Sequence, residues 1–201
     1  QSPGIQTVYQ MRWLAEQVDA ANGGDPGRDE WWYKDEYNRR LMQRVGERIR
    51  RLESGEDRPE QYLIAGAVDF LHMLREAGVD VYLASGTDHR DVLREAGILG
   101  VADCFSEIRG APERAAACSK EAVLRLLLEE KKLIEVDGDH ALAIEIALGA
   151  ACGAYALGAA TDETALRGVN PVKRERLVKA GADAIVGDFT CLDALKQWLG
   201  L

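Results

Sequence analysis

The chain has 201 residues, 47% of them hydrophobic and 29% charged, with a formal net charge of -9. That length supports one core of ordinary size, or a core with a small accessory domain. The negative balance argues against a nucleic-acid surface, and no apolar run is long enough to span a bilayer, the alanine-rich stretch 141–160 being broken by Glu145 and glycines.

The chain opens Gln1-Ser2-Pro3-Gly4, with no signal peptide, and reads as a chain already under way. Ile5, Val8, Met11, Ala15 and Val18 recur at helical spacing, which predicts a helix over 5–18. Asn22-Gly23-Gly24-Asp25-Pro26-Gly27 is a loop by composition. A longer helix follows over 29–52, with Tyr37, Leu41, Val45, Ile49 and Leu52 as its apolar stripe. Trp31, Trp32 and Tyr33 cluster at its start, an arrangement suited to packing between two helices. Residues 1–60 thus read as an all-helical piece.

The pattern changes near Pro59. Val68, Leu71 and Leu74 line a predicted helix that ends at Gly78. A buried strand is predicted over 79–85, breaking into Ser85-Gly86-Thr87-Asp88, with Asp88 placed to cap the next helix, which ends near Gly97. Residues 101–108 read as a short strand and loop. Ser119 can cap a helix reaching Glu130, residues 133–137 form a strand ending in acid, and an alanine-rich helix follows. Residues 154–158 are a third strand. Asn170-Pro171 starts a helix that ends near Gly181, Pro being suited to the first helical position. A last strand at 184–186 and a last helix at 192–199 complete the chain. Alternating strands and helices predict an α/β, Rossmann-like parallel sheet with helices on both faces. The four cysteines, Cys104, Cys118, Cys152 and Cys191, form no Cys-x-x-Cys pair and read as reduced, buried thiols of a cytoplasmic protein.

Three features fall at the predicted active edge, the carboxyl ends of the strands. Ser85, Gly86 and Thr87 offer hydroxyls and close-approaching N–H groups. Lys120, at a helix start, offers a point charge suited to phosphate. Asp137-Gly138-Asp139 follows a buried strand, where a carboxylate could hold Mg²⁺ together with phosphate oxygens. Singly, each has an ordinary structural reading as a turn cap, a solvated lysine or a helix cap. His89 reads as a surface helix position, and His140 lies beside Asp139.

In this order, the three features resemble the motifs of the haloacid dehalogenase (HAD) superfamily, chiefly its Mg²⁺-dependent phosphatases. The strand ending at Ser85 resembles the family's second motif. Lys120 in Cys118-Ser119-Lys120-Glu121 resembles its third, and residues 133–139 its fourth. The helical residues 1–60 resemble the family's α-helical cap, and 61–201 its α/β core lacking the first strand. The runs Leu83-Ala84-Ser85-Gly86-Thr87-Asp88, Ala160-Thr161-Asp162-Glu163 and Lys173-Arg174-Glu175-Arg176-Leu177 look like a subgroup sometimes fused to sugar kinases. The family's Asp-x-Asp-x-Thr motif, which carries the nucleophile, is absent and would lie ahead of Gln1. Where the fourth motif has a second acid, this chain has Ala143, with Glu145 two residues on; Asp137 is the other candidate.

The resemblance implies a phosphatase acting on a small phosphorylated metabolite through an aspartyl-phosphate, with the nucleophile supplied from upstream. Ser85 and Lys120 would be its catalytic residues, Ser85, Gly86, Thr87 and Lys120 would bind phosphate, and Asp139 would hold Mg²⁺. It also implies that an upstream segment fills the place of the first strand between the strand ending at Ser85 and residues 133–137, or else those two strands pair directly. No nucleic-acid or membrane partner is expected. The alternatives are a non-catalytic phosphate-binding or scaffolding module, and a Rossmann cofactor binder, the latter opposed by the lack of a Gly-x-Gly-x-x-Gly after a strand.

Overall fold

The computed structural model describes residues 7–24, 26–112, 129–130, 142–143 and 155–201. The chain divides into two compact units. The first comprises Gln1–Arg58, Leu83–Ile98 and Ile108–Leu124; the second comprises Pro59–Tyr82, Leu99–Glu107 and Arg125–Leu201.

The first unit opens with helices α1 (Thr7–Ala21) and α2 (Glu30–Glu53), which pack on each other. Val8 and Ala15, seven residues apart and so on one face, are the buried residues of α1. The start of α2 is fixed by Asp29, whose carboxylate accepts the Trp32 N–H at 2.8 Å. Glu30 in its first turn, and Arg50 and Arg51 in its last, complement the helix dipole. Arg12 of α1 reaches Glu30 at 2.9 Å. No residue of α2 is fully buried: Val45, Ile49 and Leu52 are half-covered, while Tyr37 and Leu41 are exposed. The unit continues through strand β1 (Tyr82–Asp88), helix α4 (His89–Ile98) and strand β2 (Glu107–Ala111), the two strands pairing with each other. Val92 and Ala96, one turn apart, are the buried face of α4.

The second unit is a parallel sheet in the order β3 (Leu142–Ala143), β4 (Tyr155–Ala159), β5 (Ala184–Val186). Its central strand β4 buries three consecutive residues, as a parallel strand covered on both faces must. Leu157 faces a cluster formed with Phe70 and Leu74 of helix α3 (Ala67–Glu76), Phe189, and Leu195 of helix α6 (Leu192–Leu199). The rings of Phe70 and Phe189 stack at 4.8 Å. Its neighbour Gly158 points the other way, where a Cβ would lie 3.0 Å from Leu177 of helix α5 (Pro171–Lys179). The fold class is therefore the expected one: an α/β parallel sheet with helices on either side.

Local signals placed several elements well. Asn170 caps α5 by accepting the Lys173 N–H at 3.1 Å, with Pro171 in the first turn. Strand β5 and helix α6 have the expected bounds. Four readings need correction. β1 does not stop at Ser85 but continues to Asp88, because β2 supplies a partner; Ser85 is therefore mid-strand. The strand placed at 101–108 begins only at Glu107, after a 3₁₀ turn at Ala102–Cys104. Leu142–Ala143, expected in an alanine-rich helix, is a strand, because pairing with β4 overrides the local helical preference of leucine and alanine. The inward face of α3 is Phe70 and Leu74, whereas Val68 and Leu71 are only half-buried.

Of the cysteines, Cys104 is buried and free, but Cys191, just ahead of α6, is exposed rather than buried. Cys118, Cys152 and the strand expected at 133–137 lie outside the described residues, as does any pairing of β1 on that side. Among the described residues, no helix is long and apolar enough to cross a membrane.

Beyond the strands, the second unit is held by its turns. Gly66 has φ +74°, and a Cβ there would meet the Phe189 carbonyl carbon and oxygen at 2.5 Å. The Asp188 carboxylate accepts from the Thr190 hydroxyl at 2.6 Å, the Gly168 N–H at 2.8 Å and the Thr190 N–H at 3.1 Å. The Thr190 hydroxyl first, then the two N–H groups, hold this carboxyl below its ordinary pKa. Gly66→Ala is expected to cost about 1–3 kcal/mol, read as a lower urea midpoint. The Asp188 carboxylate has a folded pKa below its unfolded one. Its contribution is therefore complete above the ordinary carboxylate range and lost as pH falls through the folded value. The stability gap between wild type and Asp188→Asn should accordingly close below about pH 4.

Candidate functional site

The site is built where β1 runs into α4. Ser85, Gly86 and Thr87 lie together on this strand, Ser85 and Gly86 half-buried and Thr87 exposed. The Ser85 hydroxyl oxygen accepts the Thr87 N–H at 3.2 Å. That bond runs from a serine to the backbone two residues on, within the strand. It uses the Thr87 N–H as donor and leaves the proton of the Ser85 hydroxyl to be donated to an oxyanion.

β2 lies hard against this junction through Gly110. A Cβ at Gly110 would be 2.5 Å from the His89 Cα, 2.6 Å from the Thr87 carbonyl oxygen and 2.7 Å from the His89 nitrogen. Only glycine fits such an approach. The Gly110 N–H donates to His89 Nδ1 at 3.2 Å. An accepting Nδ1 leaves the neutral ring's proton on Nε2. His89 is thus exposed at the first position of α4, as expected for a surface residue, but its ring is oriented by a backbone bond.

The helix α2 reaches the same junction. Lys34 Nζ donates to both oxygens of Asp88, at 2.8 and 3.0 Å. The two side chains are only 15% and 25% exposed, so this is not a solvated surface pair. The Trp31 ring, one turn back on α2, lies 5.5 Å from Lys34 Nζ. The neighbouring Trp32 carries the Arg28 guanidinium 3.9 Å over its ring and meets Tyr33 edge-on at 5.1 Å. Two rings of this aromatic cluster therefore face cations, beyond the helix packing expected of them. Further along α2, Glu36 forks to Arg39 and Arg40, and these guanidinium groups hold its carboxyl at a pKa of about 2. Those charges are spent within the helix, whereas Lys34 reaches across to the strand end.

The structure therefore places Ser85, Gly86 and Thr87 in the last part of β1, ahead of α4. The other expected site residues, Lys120 and Asp139, lie outside the described residues, as do Asp137, His140 and Glu145. Among the described residues, no three of His, Cys, Asp and Glu group to hold a metal ion. Two participants were not anticipated. Gly110 could have been flagged as an isolated glycine in a strand, a sign of close backbone approach. Lys34 had a fainter signal, a lysine three residues beyond Trp31 on one helix face.

No family model matches the chain, and no curated protein matches it. Among solved structures it is similar to a haloacid dehalogenase-like family hydrolase from Streptococcus pneumoniae, with 16% identity and a TM-score of 0.48, over 67% of this chain and 59% of that one. It is also similar to a predicted phosphatase from Clostridium acetobutylicum, with 22% identity and a TM-score of 0.49, over 68% and 60%. The chain thus spans less than two thirds of the length of either.

The close approach at Gly110 gives a paired prediction. Gly110→Ala should destabilise the protein by more than about 1 kcal/mol, because the methyl group meets backbone rather than a movable side chain. Gly97→Ala, inside α4 with open space around its Cβ position, should stabilise it by roughly 0.5–1 kcal/mol. Urea denaturation of the two variants checks both signs.

Proposed function

We propose that this chain belongs to a Mg²⁺-dependent phosphatase of the HAD type, acting on a small phosphorylated metabolite, with sugar phosphates the first candidates. What supports the reading is the run Ser85-Gly86-Thr87 in the last part of β1, where a half-buried hydroxyl precedes the start of α4 by four residues.

In this reading, the hydroxyl groups of Ser85 and Thr87 and the backbone N–H of Gly86 hold the non-bridging oxygens of the phosphoryl group. Lys120 adds a fixed positive charge, and Asp139 is the residue that would hold Mg²⁺. The metal supplies neutralisation of charge on the phosphoryl oxygens. The nucleophile would be an Asp on a strand ahead of Gln1. Its carboxylate oxygen attacks phosphorus, and the bond from phosphorus to the ester oxygen breaks. The alcohol leaves with a proton from an acid on that same strand. Water then cleaves the aspartyl-phosphate, returning the carboxylate and releasing inorganic phosphate. Most of the acceleration would come from positioning and charge stabilisation.

The test is phosphate release from sugar phosphates by a form of the protein that carries an Asp-x-Asp strand ahead of Gln1. Turnover should require Mg²⁺ and vanish with excess chelator. Lys120→Ala should lower kcat by about a hundredfold or more, as when a fixed donor to a developing charge is removed. Activity that survives chelator, or a Lys120→Ala variant with unchanged turnover, sinks the reading. Tight phosphate binding without turnover would identify a binding module instead.

A further inference from the structure

We propose that the face of α2 between Tyr37 and Arg51 is a docking surface for an acidic amphipathic helix of a partner protein. The inference goes beyond the phosphatase reading and does not rest on it.

The first observation is that α2 outruns its neighbour. α1 has 15 residues and α2 has 24, so α2 is longer by about 14 Å and α1 cannot lie beside all of it. The cost shows in burial. Tyr37 is 44% exposed and Leu41 40%, although both belong to the apolar stripe of the helix, and no residue of α2 is buried. An amphipathic helix gains its stability by covering that stripe.

The second observation is the pattern beside the stripe. Tyr37, Leu41 and Val45 recur every four residues, and so do Arg40, Arg44 and Arg48. Each arginine follows its apolar counterpart by three, so the two rows run side by side along one face. The Arg40 side chain is 72% exposed even while its Nε donates to Glu36. An apolar row flanked by a row of guanidinium groups is the complement of a helix that carries an apolar seam flanked by carboxylates.

The third observation is charge, and it selects the occupant. Residues 37–53 carry six arginines against two glutamates, a net +4, whereas the whole chain is -9. A second copy seated on this face would set one such surface against another and be repelled. An acidic helix is attracted to it and steered there, away from the negative remainder of the chain. A nucleic acid would engage the arginine row and leave the apolar row uncovered.

The test is fluorescence anisotropy on the 201-residue chain with a labelled probe helix of about 18 residues, bearing Leu at helical spacing with Glu on either side. Replacing the probe's Leu by Ser, or its Glu by Lys, should weaken binding about tenfold or more, and single-stranded DNA of similar length should bind as weakly. In the protein, Leu41→Asp and Arg44→Glu should each weaken the Leu/Glu probe about tenfold, while Arg44→Lys stays within about threefold. Val172→Asp, at an exposed valine of α5, should leave the affinity as it is. Arg44 is exposed, so Arg44→Glu carries the test even where circular dichroism shows that Leu41→Asp has lost its fold. The proposal is overturned if the Leu/Glu probe does not bind at about millimolar concentration, if the Ser or Lys probe or the DNA binds as tightly, or if Arg44→Glu keeps full affinity. Sedimentation showing a dimer that Arg44→Glu dissociates would give the face to a second copy and overturn it equally.

Discussion

The arrangement at the strand end depends on one steric constraint, the contact of the Gly110 backbone with the junction between Thr87 and His89. Distances of 2.5 to 2.7 Å from an imagined Cβ leave no rotamer by which a side chain could escape, since the atoms it meets are main-chain atoms. This closeness lets β2 partner β1, a strand that runs on to Asp88, beyond the point where the hydrophobic pattern ends. It also lets the Gly110 N–H reach the imidazole of His89. With the strand end fixed, the carboxylate of Asp88 is carried to the place where α2 delivers Lys34. Helix, strand and counter-strand of the first unit meet at that one junction.

The second unit is organised differently. Its central strand buries both faces, and the chain alternates between a bulky residue, Leu157, and an absent side chain, Gly158. The large residue fills the layer shared by α3 and α6. The missing one lets α5 lie close, with Leu177 in the space. Asp183 adds a polar tie: its carboxylate accepts the Ala156 N–H at 2.8 Å while its own N–H donates to the Ala156 carbonyl at 2.9 Å. Both ties and packing serve to hold β4 and β5 in fixed register, which is what a sheet must do if loops at its ends are to be held in place.

What could be read from the sequence was mostly local. Asn170 before Pro171 and the short apolar run at Ala184–Val186 declare themselves within a few residues, because capping and strand length are short-range effects. The alternation of strands and helices was enough to give the α/β class. Features that depend on distant partners were not legible. The extra length of β1 needs β2, the strand at Leu142–Ala143 needs β4, and the inward turn of Phe70 needs Phe189, 119 positions away by subtraction of the residue numbers. The same holds for the site. The hydroxyl and glycine of Ser85-Gly86 are written in the local sequence, while Lys34 comes from 54 residues upstream of Asp88 and carries no mark of its destination.

The distribution of indole rings gives the two units different optical signatures. Trp13, Trp31 and Trp32 all belong to the first unit, and Trp198 is the single tryptophan of the second. Trp198 meets the ring of Tyr155 edge-on at 6.0 Å, so light absorbed by that phenol is passed on within the second unit. Trp31, by contrast, has an ammonium beside it, and Trp32 a guanidinium over its face. Emission from the first unit therefore follows the whereabouts of those two cations, whereas emission from Trp198 follows the docking of α6 against β4. Replacing Trp198 alone, or the other three together, would split the intrinsic fluorescence into two independent channels, one for each compact unit.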